Sequence, residues 1–449
     1  MSSLQPELPH AESAPGTRSD AAAPPPAARI LRAEASESGR GTAPAPAPVS
    51  ATPSASGPVP RVLRRMLCLD DFQPEARRRL PRPIYGYAAG GSETNASLRG
   101  NRTAFDDYVF VPRVMVDVSR RDLRRSLFGR EYAVPFGFAP MGGTSLGGFD
   151  GDRVLARVAA ESDLPMILSG ASFTRLEDVR AVGPTAWFQG YISGDEDEIR
   201  ALVDRVGHAG YDTLVVTADV PVAANRENNV RNGYSQPLRP SLSLAWQGIT
   251  HPRWLIGTAL RTLLASGMPH TENMGRTRVP LVSSTGMRDR GRRDRFDWGH
   301  LALLRSIWPG KLVVKGILNG QDARLAREHG VDGVIVSNHG GRQLDGAAAP
   351  LHALPDVVAQ AGGMTVMMDS GIRRGTDVLK AIALGAHFVF VGRPFLFANA
   401  VAGEAGVRHA VRLLRDEVDR DLALLGAPSI DQVGPSLLRA RTPGVPMPA

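Results

Sequence analysis

The sequence predicts an α/β chain folded as a closed (β/α)8 TIM barrel, and three observations predict it. Eight short apolar runs follow one another, helical patterns lie between them, and each run ends on or is soon followed by polar residues or glycine. The runs are YAVPFGFAP ending at Pro140, PMILSG at Gly170, AWFQGY at Tyr191, TLVVTAD at Asp219, KLVVKG at Gly316, GVIVSN at Asn338, VMMDSG at Gly371 and FVFVG at Gly392. Nearly all are continuously apolar, as parallel strands covered on both faces must be. Segments such as DEDEIRALVDRVGHAG, NGQDARLAREHG and RGTDVLKAIALGA have acidic or polar starts and glycine ends, the signature of crossover helices. Eight such units favour a closed barrel over an open doubly wound sheet.

Ala, Pro, Ser and Gly dominate residues 1–66, which cannot bury enough apolar surface to offset chain entropy. They are expected to form a disordered extension, either a tether or the product of a start codon placed upstream. The barrel is expected over 67–440, with a tail at 441–449. About 90 residues separate Asp219 from Lys311, far more than a crossover requires. A mobile basic insertion is therefore expected at about 235–296. Within it Arg276, Arg278, Arg288, Arg290, Arg292, Arg293 and Arg295 face only Asp289 and Asp294, and THPRWLIGTALRTLLASGMPH carries a short amphipathic pattern with Trp254, Leu255 and Ile256. Such a stretch is either a solvated loop or a contact for an acidic membrane surface.

The net charge of +8 is concentrated in that stretch instead of on an aromatic-rich face, which argues against nucleic acid as partner. Cys68 is the only cysteine, so no internal disulfide and no multi-cysteine metal site can form; no metal is expected, and the simplest setting is a reducing cytoplasm. No apolar run of about 18 residues predicts a membrane span.

In a β/α barrel the chemistry sits at the C-terminal ends of the strands. Here those ends offer, in order, Gly142, Ser169, Gln189 with Tyr191, Thr217 with Asp219, Lys315, Ser337 with His339 and Arg342, Asp369 with Arg373, and Gly392 with Arg393. The last two ends, Asp369-Ser370-Gly371-Ile372-Arg373 and Gly392-Arg393, present backbone N–H groups at helix starts, where barrels commonly hold a phosphate. Arg373 and Arg393 would add charge to that cradle. On the sixth loop His339 can remove a proton while Arg342, three residues on, grips a carboxylate. Asp219 can orient the imidazole and stabilise its protonated form. One phosphate cradle without a dinucleotide fingerprint points to a mononucleotide instead of a dinucleotide.

SNHGGRQLD, LVVKG, DSGIRRGTDV and GRP together make the chain resemble the FMN-dependent L-2-hydroxy acid oxidase/dehydrogenase family over about residues 67–440. That resemblance implies His339 as active-site base paired with Asp219, and a substrate carboxylate held by Arg342 and by Arg226 of NREN. It implies Tyr87 of GYAAGG and Tyr191 as substrate tyrosines. Pro140, Met141, Gly142, Ser169, Gln189 and Thr217 match positions around the flavin ring and ribityl chain, and Lys315 matches the lysine beside flavin N1, where fixed positive charge favours the anionic reduced flavin. Gly142 and Ala171 stand where plant glycolate oxidase has alanine and tryptophan, so a larger cavity is expected. SGAS, HPRW and GMPH resemble the mandelate and bacterial L-lactate dehydrogenase branch, whose longer loop contacts membranes. The implied activity is oxidation of an L-2-hydroxy acid of lactate or mandelate type, with a quinone or other acceptor, peripheral attachment to the inner face of the cell membrane and a homotetramer. Two rivals stand beside it: an FMN barrel oxidase using oxygen on another hydroxy- or amino-acid-like substrate, and a non-catalytic membrane-attached flavoprotein.

Overall fold

The computed structural model describes residues 60–239, 241–274, 278–282, 293–441 and 443–448. The expectations for residues 1–59 and for Arg276, Arg288, Asp289, Arg290 and Arg292 lie outside the described residues.

Eight parallel strands form one sheet: β1 (Phe136–Phe138), β2 (Ile167–Ser169), β3 (Trp187–Gly190), β4 (Thr213–Thr217), β5 (Lys311–Ile317), β6 (Gly333–Val336), β7 (Thr365–Met368) and β8 (Phe388–Val391). Each lies beside its predecessor in the chain, β8 pairs with β1, and a parallel bridge from Phe138 to Met166 brings β1 against the start of β2. The sheet thus closes on itself as a TIM barrel. Eight helices cover it: α1 (Gly151–Glu161), α2 (Leu176–Val182), α3 (Glu196–His208), α4 (Trp298–Ile307), α5 (Gly320–Glu328), α6 (Pro350–Ala361), α7 (Gly375–Ala383) and α8 (Arg393–Leu425), the last broken by non-helical Ala402 and Gly403.

The continuous apolar runs have a two-sided explanation. Successive strand residues point to opposite faces. Ile167, Trp187, Val215, Val313, Ile335, Met367, Phe388 and Phe390 fill the barrel interior, while Leu168, Phe188, Val216, Val314, Val336, Met368 and Val389 pack outward among the helices. A hairpin of Arg125–Leu127 and Arg130–Tyr132 adds Leu127, Phe128 and Tyr132 to the interior set and plugs the N-terminal end, with Phe128 5.5 Å from Trp187. Truncating an interior aromatic such as Trp187 to Ala costs about 3–5 kcal/mol. Two residues further along six of the eight strands, β2 to β7, the same inward parity reaches Ser169, Gln189, Thr217, Lys315, Ser337 and Asp369. The packed interior therefore ends in a polar layer at the C-terminal mouth.

β5 is bulged there: its register with β6 jumps between Lys315 and Ile317, and Gly316 has φ +107°. A Cβ at Gly316 would lie 2.7 Å from that of Asp219, so only glycine admits the aspartate beside it.

At the N-terminus the packed body starts earlier than the expected Leu67. Leu63 and Met66 are buried while Leu67 is 74% exposed, and His409 on α8 bonds the Met66 carbonyl at 2.8 Å. The apolar spacing of Leu63, Met66 and Leu69 against α8 outweighs the low-complexity sequence before it. The tail also packs: Tyr108 donates to Pro446 O at 2.8 Å, and Val445 and Met447 touch the core. In the insertion, helical turns run through Leu242–Ile249, Pro252–Trp254, Leu255–Leu260 and Arg261–Ser266, then a small hairpin pairs His270–Thr271 with Val279–Pro280.

Candidate active site

A cleft of about 1180 Å3, including its open mouth, occupies the C-terminal end of the barrel, room enough for a flavin and a small acid. Tyr87, Pro140, Met141, Gly142, Tyr191, Arg226, Lys315, His339, Arg342, Asp369, Ser370, Gly371, Ile372, Arg373, Gly392 and Arg393 line it. Of the residues expected at the site, Ser169, Gln189, Thr217 and Ser337 are buried directly beneath it, and Asp219 reaches it through His339.

His339, Gly340 and Gly341 all have positive φ, +59°, +67° and +71°, so the chain turns back on itself directly after β6. That turn aims His339 Nδ1 at Asp219 Oδ1, 2.9 Å away. An ionised carboxylate only accepts, so Nδ1 carries the proton and Nε2 keeps its lone pair. Burial lowers the His339 pKa below the ordinary histidine value, against the opposing pull of Asp219, and the ring stays neutral and basic near pH 7. Burial alone would raise the Asp219 carboxyl, but His339 and Lys315 outweigh it and keep the group ionised. Lys315 is tied to Ser337 Oγ at 2.7 Å and to Asp369 at 3.2 Å. Burial would neutralise it, yet Asp369 and Asp219 hold its pKa above the usual lysine value, so a fixed cation faces the cleft.

Four guanidiniums surround the same space. Arg342 donates to the carbonyls of Tyr87 (2.6 Å) and Gly90 (2.9 Å) and lies 4.9 Å from the centre of the Tyr87 ring. Arg226 bonds Arg342 O at 3.0 Å and Gln343 at 2.8 Å. Arg393 reaches the carbonyls of Ala88, Gly90 and Gly340. Arg373 donates to Ile372 O at 2.8 Å and meets Asp70 at 3.4 Å. Burial, then Arg226, lowers Arg342 to about 10; burial, then Arg102, lowers Arg373 to about 10. Arg393 is depressed by burial and by Arg342, Arg373 and Arg226. Cations that depress one another in this way favour bound anions, and a phosphate and a carboxylate would meet that demand.

Buried polar atoms test whether a flavin fits. Gln189 Nε2 and Thr217 Oγ1 are buried without a hydrogen-bond partner, which an amide- and carbonyl-rimmed ring can supply. At Gly371, φ is +86° and a Cβ would lie 2.1 Å from Asn101 O, so the cradle of Gly371, Ile372 and Arg373 requires glycine. The residues present fit FMN: Gln189, Thr217 and Lys315 toward the ring, Gly371, Arg373, Gly392 and Arg393 toward the phosphate.

Several supporting residues were not foreseen. Asp345 accepts from Thr94 Oγ1 (2.6 Å) and from the backbone of Thr94, Ala96 and Ser97, and its pKa falls to about 2, chiefly through Thr94. This clamps the segment after Tyr87 to the β6 loop. Asn101 and Asn338 exchange buried amide bonds behind His339, and Tyr234 stacks on Tyr87 at 4.4 Å. From the insertion, Gln236, Met274 and Arg293 line the cleft, Arg293 with its guanidinium 5.1 Å from the centre of the Tyr191 ring. In the sequence only the SNHGG and RQLD neighbourhood pointed to any of these; their partners are distant along the chain.

The profile of the FMN-dependent dehydrogenase family matches residues 76–440. The (S)-mandelate dehydrogenase of Pseudomonas putida is 38% identical over 373 residues, 83% of this chain and 93% of that protein. An L-lactate oxidase of a Nostoc strain is 37% identical over 376 residues, 82% of this chain and 97% of that one. Among solved structures, a monotopic membrane (S)-mandelate dehydrogenase superimposes with a TM-score of 0.77 at 36% identity, covering 84% of this chain and all of that one.

Proposed function

The chain belongs to the FMN-dependent dehydrogenase family and oxidises L-2-hydroxy acids; from that premise we propose that its substrate is of L-lactate or L-mandelate type and that Tyr87, Tyr191, Arg226, Arg342, His339 and Asp219 do the work. The observation that carries this reading is the 2.9 Å His339–Asp219 contact in a cleft also lined by Arg226 and Arg342. Bound in the cleft, FMN would supply the two-electron acceptor. The arginines hold the substrate carboxylate, which fixes the 2-hydroxyl within reach of His339. His339 takes the substrate proton, and Asp219 stabilises the resulting imidazolium without being protonated itself. Burial raises the Tyr191 phenol pKa, so it remains a neutral hydrogen-bond donor.

The phosphate is assigned to Gly371, Ile372, Arg373, Gly392 and Arg393, with Pro140, Met141, Gly142, Ser169, Gln189, Thr217, Lys315, Ser337, Asp369 and Ser370 shaping the rest of the flavin site. The working barrel spans about 67–440, with Leu63, Met66 and the segment around Val445 and Met447 packed onto it, and residues 235–296 are its accessory insertion. The insertion supports attachment to a membrane surface: Leu242 is 91% and Leu264 89% exposed, with Trp246, Ile249 and Ile256 exposed among them. No helix among the described residues is long and apolar enough to cross a membrane. We place the protein peripherally, on the inner face, as a homotetramer that passes electrons to a quinone. The competing oxygen-using reading draws support from the lactate oxidase relative.

Anaerobic addition of L-lactate or L-mandelate should bleach the yellow flavin absorbance, and acid-released cofactor should be FMN. A flavin untouched by every 2-hydroxy acid contradicts the reading. Stopped-flow reoxidation should be faster with a quinone analogue than with air; equal rates would favour the oxidase.

A further inference from the structure

Gly142 and Ala171 lie against each other in the lining of the cleft, where a Cβ on Gly142 would come within 2.9 Å of that of Ala171, so the barrel loops contribute only small side chains there. Met274, from the returning limb of the insertion, lines that cleft with them. Its neighbours hold it in place. Asn273 is 4% exposed; its Oδ1 accepts from Leu176 N at 3.0 Å and from Arg205 Nη2 at 3.4 Å, and its Nδ2 donates to Thr174 O at 2.8 Å. Beside it, Glu272 N donates to Ser172 O at 3.3 Å and Glu272 O accepts from Arg205 at 2.9 Å. Arg205 is also bonded to both oxygens of Glu177.

The loop that receives this limb is itself tied to the loop after β1. Asp152, fully buried in the first turn of α1, accepts from Thr144 Oγ1 at 2.6 Å, from Thr174 Oγ1 at 3.1 Å and from Ser172. Gly142, Ala171 and Met274 therefore sit on three chain segments joined by one buried hydrogen-bond network, which fixes their relative positions.

We propose that Met274 sets the size of the side chain the enzyme accepts, and that Asn273 is the positioning residue that holds it in the cleft. This rests on the L-2-hydroxy acid reading. The thioether is unbranched and flexible, so it bounds the cleft with an adaptable apolar wall suited to an alkyl or phenyl group.

The test is a substrate ladder read by anaerobic flavin bleaching and by kcat/KM: glycolate, L-lactate, L-2-hydroxybutyrate, L-mandelate and L-3-phenyllactate. Met274→Ala should raise the kcat/KM of L-3-phenyllactate over L-lactate about tenfold, within what a small change of pocket volume can do, and Met274→Phe should move the ratio the opposite way. Asn273→Ala should follow Met274→Ala, through KM more than kcat. Because the two residues act as one, the double variant should match Met274→Ala alone. Flavin absorbance verifies folding in each case, and Asn273→Asp, which keeps the acceptor and loses the donor, replaces an Asn273→Ala that does not retain flavin. A ratio within twofold of wild type in both Met274 variants, or an Asn273 effect that adds fully to that of Met274→Ala, overturns the proposal. If no member of the ladder bleaches the wild-type flavin, the hydroxy acid reading falls and this inference with it; bleaching with an unmoved ladder removes only the inference.

Discussion

The strand ends and the insertion after β4 both build the same cleft, but by different means. At the strand ends a period of two, fixed by the pleat, carries β2 to β7 from an apolar interior to one inward polar residue, so that Thr217, Lys315, Ser337 and Asp369 gather without any specific loop design. The insertion has no such period. It reaches the cleft because a few buried polar contacts, chiefly those of Asn273 and Arg205, dock one limb on the loop after β2. Chemistry is thus expected to reside in the periodic part and selectivity in the docked part.

The largest effect should come from the strand ends. His339→Gln is expected to retain FMN and lose about 10²–10⁴ fold in flavin reduction rate, the usual contribution of a general base. Near-wild-type reduction would move the base elsewhere in the molecule. The same residue sets the pH profile. Because burial lowers its pKa, the neutral base persists below the ordinary histidine range, and kcat/KM should be flat above that lowered pKa and fall about tenfold per unit as pH drops through it. A profile that instead loses activity as pH rises through neutrality would exclude a neutral imidazole.

Arg342→Lys keeps the charge but removes the planar fork and its packing on Tyr87. A loss of about 2–3 kcal/mol, or about 10²-fold in kcat/KM, is expected, seen mainly in KM. An unchanged KM would assign the substrate carboxylate to other groups.

On the insertion the effects should be smaller and of another kind. Trp246→Ser and Leu264→Ser are each expected to weaken partition onto anionic lipid vesicles about tenfold, since a buried side chain of that size contributes about 1.5–3 kcal/mol. Flavin bleaching in solution should not change. Vesicle binding equal to that of the wild type would leave the exposed apolar face without a membrane role.

The smallest effect concerns the wall that Gly142 and Ala171 form with small side chains. A buried methyl group contributes up to about 0.8 kcal/mol, so L-lactate should surpass glycolate by about fourfold in kcat/KM. Glycolate as the better substrate would show that the insertion refills the cleft beyond what Met274 accounts for.

Much of this molecule could be read from residue order alone. Strand periodicity, polar strand ends and the SNHGGRQLD, DSGIRRG and VGRP stretches identified the barrel, the family and the residues brought to its mouth, because these features depend on local backbone geometry and on a pleat that repeats along each strand. Tertiary structure decided the rest. It placed Asp345 against Thr94 and Ser97, about 250 positions away in the chain, spread Arg393 over carbonyls of the segment carrying Tyr87, moved the start of packing to Leu63 and Met66, and brought Met274 to the cleft. Each is a contact between residues far apart in the chain, and no local pattern of charge or hydrophobicity encodes which distant backbone group a side chain will meet once the barrel has closed.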